Sequence, residues 1–236
     1  MKPLIFKRTI AARLKSCPDT KLVLLLTVVL LGVVPLSAQD VHAIAAKVDQ
    51  RYDHIRSLQA QFTETYSGAG MTRTESGTLL LKKPGRMRWD YNQPRPKLFI
   101  TDGNTAWFYV PGERQARRAS VKQLDDLRSP LRYLLGKTKL EKELDGLSLA
   151  PDQKPLHADD VVLRGVPKGL RDRVSQTLLE VSPEGLINRI VIEELDGSIT
   201  DFRFLQQKEN VQLADQQFSF VPPPGVEIVA GTEMME

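Results

Sequence analysis

Residues 82–110 read KKPGRMRWDYNQPRPKLFITDGNTAWFYV, and this stretch decides the fold. Both tryptophans of the chain, Trp89 and Trp107, lie in it, together with Tyr91, Phe99, Phe108 and Tyr109. From Arg86 to Tyr91 the pattern alternates: Met87, Trp89 and Tyr91 point one way, Arg86, Arg88 and Asp90 the other. That is the period of a half-buried strand. Pro94 and Pro96 interrupt it, because each removes a ladder donor. Lys97 to Thr101 resumes, and Asp102-Gly103 turns the chain tightly into a third strand, Thr105 to Val110. The implied structure is an antiparallel sheet with one broad aromatic face. A second layer of protein, or a ligand, must cover that face.

Working outward, Asp40 can cap a helix running to about Ser57, with Val41, Ile44, Ala45, Val48, Tyr52 and Ile55 at helical spacing. Gln59–Ser67 and Thr72–Lys83 read as strands around a Ser-Gly-Ala-Gly loop, and Gln115–Ala119 as a further short strand. Between Ser120 and Gly136 the period becomes helical, with Ser129 capping a second short helix that begins at Pro130. Strands return after Leu147: Asp160–Gly165, Ser175–Val181, Ile187–Leu195 and Ser198–Gln206, with Phe218–Val221 a last short strand before three prolines. Strands dominate, with a helix at the start and one helical insert. The fold class is α+β, built on a large, curved antiparallel sheet.

The chain carries 33 Lys/Arg against 29 Asp/Glu, but six of the basic residues and a single acid fall in residues 1–38. Residues 39–236 keep 27 and 28, a net charge of −1, so no electrostatic case for nucleic acid remains. Residues 1–38 read as a signal peptide: a basic segment ending at Lys21, an apolar run from Leu22 continuing to Leu36, and Ser37-Ala38 before Gln39. The run is short for a spanning helix. The only cysteine, Cys17, precedes it, so the mature chain has no disulfide, no thiol nucleophile and no acyl anchor. The expected location is the bacterial periplasm.

A search for chemistry finds little. His42 and His54 lie twelve residues apart on one expected helix, about 18 Å along its axis, and cannot share a metal. No His/Cys/acid cluster shows ligand spacing in the sequence. Asp125-Asp126, Asp159-Asp160 and Glu193-Glu194 read as solvated pairs, and no nucleophile elbow or phosphate-binding loop is present. The basic run Arg114–Arg118 fits a partner surface or an ordinary solvated strand face. No catalytic residue, metal ligand or cofactor is expected. An apolar interior without a reactive centre leaves two readings open: a site for apolar material, or simply a large core.

The residues also carry a resemblance. Leu80 to Tyr91 (LLKKPGRMRWDY), Pro94, and Phe99 to Tyr109 (FITDGNTAWFY) resemble the core motif of the LolA family, periplasmic carriers of outer-membrane lipoproteins. The likeness extends to Leu58–Phe62, to Ser129-Pro130-Leu131 and to the Phe218–Val226 tail, covering nearly all of residues 40–229. It implies an unclosed β-barrel around a hydrophobic cavity, covered by the N-terminal helix and a short helical lid. It further implies a carrier domain over 39–229, with 230–236 as a C-terminal tail. The acyl-chain cavity would be lined by Tyr52, Ile55, Phe62, Met87, Trp89, Tyr91, Ile100 and Trp107, with Leu131 and Leu134 in the lid. The implied partners are lipoproteins, the inner-membrane LolCDE transporter as donor and the outer-membrane receptor LolB as acceptor. Where family members carry an arginine latch before the proline, this chain has Lys83. Lysine keeps the charge and loses the planar fork. A monomer is expected.

Three other readings compete. A regulatory sensor of the RseB type has the same half-barrel and a second C-terminal domain, for which this sequence leaves no room. A LolB-like receptor needs a lipidated cysteine after the leader. A periplasmic hydrolase needs a nucleophile or acid pair.

Overall fold

The computed structural model describes residues 40–121, 134 and 139–231. The expected signal peptide, Leu131, the body of the expected second helix and the last five residues lie outside the described residues. Helix α1 (Val41–His54) starts where Asp40 accepts the His42 N–H at 2.9 Å. It stops slightly earlier than the apolar spacing suggests, because Ile55 is already extended.

Eleven strands then pair antiparallel with one another: β1 (Ser57–Gly68), β2 (Met71–Lys82), β3 (Arg86–Gln93), β4 (Lys97–Thr101), β5 (Thr105–Tyr109), β6 (Gln115–Ser120), β7 (Leu144–Leu149), β8 (Val161–Pro167), β9 (Val174–Val181), β10 (Ile187–Glu194) and β11 (Ile199–Glu209). A four-residue helix, α2 (Leu140–Glu143), leads into β7. One sheet holds these strands and a twelfth, β12 (Glu227–Ala230), in the order β12-β6-β5-β4-β3-β2-β1-β11-β10-β9-β8-β7. β1 pairs with β11, which joins the N-terminal meander to the C-terminal one.

The last strand differs from expectation. Phe218 closes a 3-10 turn (Asp215–Phe218) and begins no strand; the final strand is β12 (Glu227–Ala230). β12 lies parallel to β6, which it can reach because residues 211–226 cross the outside of the sheet first. Leu213 and Phe218 pack there on Leu80, and Phe220 lies 5.6 Å from Trp107 and 5.4 Å from Tyr109.

One apolar cluster takes side chains from every strand β1 to β11, from α1 and α2, and from Leu134. Residues as far apart in the sheet as Phe99 on β4 and Leu163 on β8 share it. The ring of Trp89 on β3 also lies 5.8 Å from that of Phe202 on β11, three strands away, where a flat sheet with strands about 4.8 Å apart would hold them about 14 Å apart. The sheet therefore curls into an unclosed barrel, and β12 and β7 are its two edges. α1 is part of the interior: Ala45, Val48 and Tyr52 are buried, and the Ile187 N–H donates to the Tyr52 hydroxyl at 3.2 Å.

Candidate functional site

The concave face is built from the alternation of β3. Met87, Trp89 and Tyr91 are all buried and face inward. Phe62 of β1 sits among them. Its ring lies 4.6 Å from Trp89 and 4.9 Å from Tyr91, both edge-on, the preferred arrangement of aromatic quadrupoles. Phe202 and Phe204 of β11 complete the group, at 5.8 and 6.3 Å from Trp89. Phe62 and Tyr91 are both register partners of Gly77, where the register between β2 and β3 shifts. Only glycine fits there, since a Cβ would stand 1.9 Å from the Asp90 carbonyl oxygen.

Two expected lining residues face the other way. Trp89 pairs directly with Phe99, and Phe99 with Phe108. Directly paired residues share a face, so their neighbours Ile100 and Trp107 project from the outer face. Arg88 is the register partner of Ile100, and Trp107 that of Arg118. The inward positions are Phe99 and Phe108, both members of the interior cluster. Arg88 points outward as expected, bonded to Asp90 at 2.6 and 2.9 Å and to the Gln217 carbonyl at 3.0 Å. The basic run divides between faces: Arg118 lies over Trp107, and Arg117 over Phe108.

Toward one end the apolar lining gives way to a charged network that sequence spacing did not disclose. The Tyr91 hydroxyl donates to Glu64 at 2.6 Å. Lys97 donates to Glu75 at 2.6 Å and lies 4.0 Å above the Tyr91 ring. Burial holds the Glu64 carboxyl above its ordinary range, against the pull of the Tyr91 hydrogen bond and the Lys97 charge. The Tyr91 hydroxyl is itself raised well above the usual phenol, by burial and by the Glu64 charge. The Trp89 indole N–H is buried and has no hydrogen-bond partner.

The cover is held by polar contacts. Lys83 Nζ donates to the Tyr52 carbonyl, and to that of Asp53 at 3.4 Å, at the C-terminal end of α1. Burial lowers the Lys83 ammonium below the usual lysine range. Arg51 bonds Glu209 of β11 at 2.6 Å, and the Leu140 N–H of α2 donates to Asp49 at 3.0 Å. Tyr52 of α1 and Ile55 just after it, with Leu134, close over the interior at 4 % exposure or less. Among the described residues this face presents apolar surface and a single charged network, with no thiol or histidine in the interior cluster.

The family model of the outer membrane lipoprotein carrier protein LolA matches residues 53–221. The chain belongs to the LolA family. An outer-membrane lipoprotein carrier protein of Pasteurella multocida is 30% identical over 186 residues, covering 78% of this chain and 85% of that protein. The carrier protein of Nitrosospira multiformis is 26% identical over 182 residues, covering 75% and 84%. A LolA superfamily protein of Nitrosomonas europaea, known as a crystal structure, is 14% identical, with a TM-score of 0.42 over 76% of this chain and 97% of that one. As a LolA family member the chain has the unclosed barrel that the family resemblance implies, and its role is that of a lipoprotein-binding chaperone in outer-membrane transport. No helix of the described residues is long and apolar enough to cross a membrane.

Proposed function

We propose that the protein is a non-enzymatic periplasmic carrier. It accepts lipoproteins from an inner-membrane LolCDE transporter, shields their acyl chains on the concave face and hands them to an outer-membrane LolB receptor. Residues 1–38 serve as the export signal, 39–229 as the carrier domain and 230–236 as a tail. The observation that carries this reading is the continuous aromatic interior roofed by α1, in a chain of the LolA family.

Energetics explain why such a carrier is needed. Burial is worth about 0.8 kcal/mol per methylene, so a lipoprotein with two or three chains leaves a membrane too slowly unaided. A carrier must cover the chains without holding them irreversibly. Here Tyr52, Ile55, Phe62, Met87, Trp89 and Tyr91, with Phe99 and Phe108, supply the lining. The interior is occupied by the protein's own side chains, so chains enter by displacing the roof. α1 and the segment of Leu131 and Leu134 form the lid, and Lys83 is its latch.

The test is release from membranes. The protein is incubated with spheroplasts synthesising labelled lipoproteins and carrying the cognate transporter. The expected result is soluble lipoprotein that comigrates with it at one to one. No release, with a folded protein and an active transporter, would overturn the reading in favour of a sensor using the same interior.

A further inference from the structure

Residues 150–160, between β7 and β8, fold back over the outer face of the sheet. Ala150 packs there with Val162, Leu178 and Val191, a small apolar cluster separate from the main interior. The segment ends in a tight turn, closed by the Asp160 N–H donating to the His157 carbonyl at 3.2 Å. This turn brings His157 and Asp160 to one side, against Glu180 of β9. His157 Nδ1 lies 3.3 Å from Asp160 Oδ2 and 3.6 Å from Glu180 Oε1. Sequence spacing hid the group because Glu180 comes from a different strand. The reading of Asp159-Asp160 as a solvated pair also fails, since Asp160 is buried.

The charge balance is unusual. Glu180 is 1% exposed, and the Asp160 side chain 4%. Two buried carboxylates side by side are costly unless a cation neutralises them. The arginine nearest in register, Arg189, is committed to Asp201 by two bonds at 2.9 and 3.0 Å. Burial raises the Glu180 carboxyl above its ordinary range. The remaining hydrogen bonds orient the group and do not neutralise it. Glu180 Oε1 accepts the N–H of Leu156 at 2.7 Å and that of His157 at 3.3 Å, and Asp160 Oδ2 accepts from Asn188 at 2.7 Å. Glu180 Oε2, on the same carboxylate, is buried with no partner.

An imidazole nitrogen and two carboxylates, with one carboxylate oxygen left unpartnered, make a ligand set. We propose that His157, Asp160 and Glu180 bind a first-row transition-metal dication, best matched by Zn²⁺, which fastens the 150–160 turn to the outer face of the sheet. Ligands about 2.0–2.1 Å from a tetrahedral zinc lie about 3.3 Å from one another, close to the 3.3 and 3.6 Å observed. The dication cancels both carboxylate charges. The half-exposed side of His157 leaves the fourth position to water. The Leu156, His157 and Asn188 donors hold the carboxylates in place, as outer hydrogen bonds do around metal ligands. The imidazole disfavours Mg²⁺ and Ca²⁺, which take oxygen ligands.

The test uses untagged protein stripped with a chelator. Titration with Zn²⁺ alone is expected to give a one-to-one isotherm and a Tm higher by several degrees, with no response to Mg²⁺. His157→Ala, which alters an exposed side chain, is expected to abolish both effects while leaving the circular dichroism unchanged, and Glu180→Gln to do the same. His42→Ala removes the other histidine paired with a carboxylate, Glu141, and is expected to change nothing. No one-to-one binding in the parent protein, binding that survives His157→Ala, or binding lost with His42 would each overturn the proposal.

Discussion

The Lys83 ammonium donates to the main-chain carbonyl of Tyr52, while the Tyr52 hydroxyl accepts the N–H of Ile187 at 3.2 Å. Tyr52 is thus held at both ends, by the β2–β3 turn at its backbone and by β10 at its phenol. The last carbonyls of a helix lack intrahelical donors, and a cation there also meets the negative end of the macrodipole. Lysine at this position therefore bonds the end of α1 without the arginine fork.

Lys83→Leu is expected to lower stability by about 1.5 kcal/mol, the worth of a charge-assisted hydrogen bond, read as a reduced urea midpoint with an unchanged slope. Lys83→Arg keeps the charge and recovers most of the loss. An unchanged midpoint in Lys83→Leu would show that the contact contributes nothing to holding α1.

Trp89 and Trp107 are expected to behave oppositely. Trp89→Ala opens the interior and costs about 3–5 kcal/mol. Trp89→Phe removes the unpartnered indole N–H and costs much less. Trp107→Ala loosens only the outer contacts with Phe220 and Arg118 and leaves lipoprotein release intact. A release defect in folded Trp107→Ala would contradict the face assigned by the register.

Glu64 has a folded-state pKa above its unfolded value. Its stabilising contribution is complete below the ordinary carboxylate range and is lost as pH rises through the raised folded value. Glu64→Gln should therefore flatten this part of the profile, and stabilise the protein relative to the parent near neutrality. Urea midpoints from pH 4 to 7 for both proteins check the sign.

Asp201 has the reverse sign. Burial pushes its carboxyl up, but the hydrogen bonds of Arg189 and Arg203 outweigh that and hold it below the usual range. Its contribution is present above the unfolded pKa and is lost as pH falls through the depressed folded value. Asp201→Asn is expected to destabilise at neutral pH, and the difference from the parent should vanish in acid. A constant difference across the range would point to packing and not to charge.

Much of this was legible in the chain. The alternation through Met87, Trp89 and Tyr91 and the Asp102-Gly103 turn placed three strands and the face they bury. Asp40 marked the start of α1, and all six of the spaced apolar residues, from Val41 to Ile55, meet the core. Ile100 and Trp107 were misplaced because hydrophobicity alone does not set strand parity. Both faces of β4 and β5 are apolar, the outer one being roofed by residues 211–220, and only the pairing of Trp89 with Phe99 distinguishes them. β12 escaped notice because Glu227–Ala230 has little alternation of its own and is a strand by virtue of its parallel partner. The Glu64–Tyr91 bond joins residues 27 positions apart, and Glu180 lies 23 positions beyond His157, so no local pattern records either contact.

The barrel ends in two edges, β12 and β7, that do not pair with each other. A closed cylinder can widen only by breaking a row of ladder hydrogen bonds. A split one can change its girth by letting the lips part while every rung stays intact, so the work of admitting a bulky guest falls on side-chain packing, which re-forms when the guest departs.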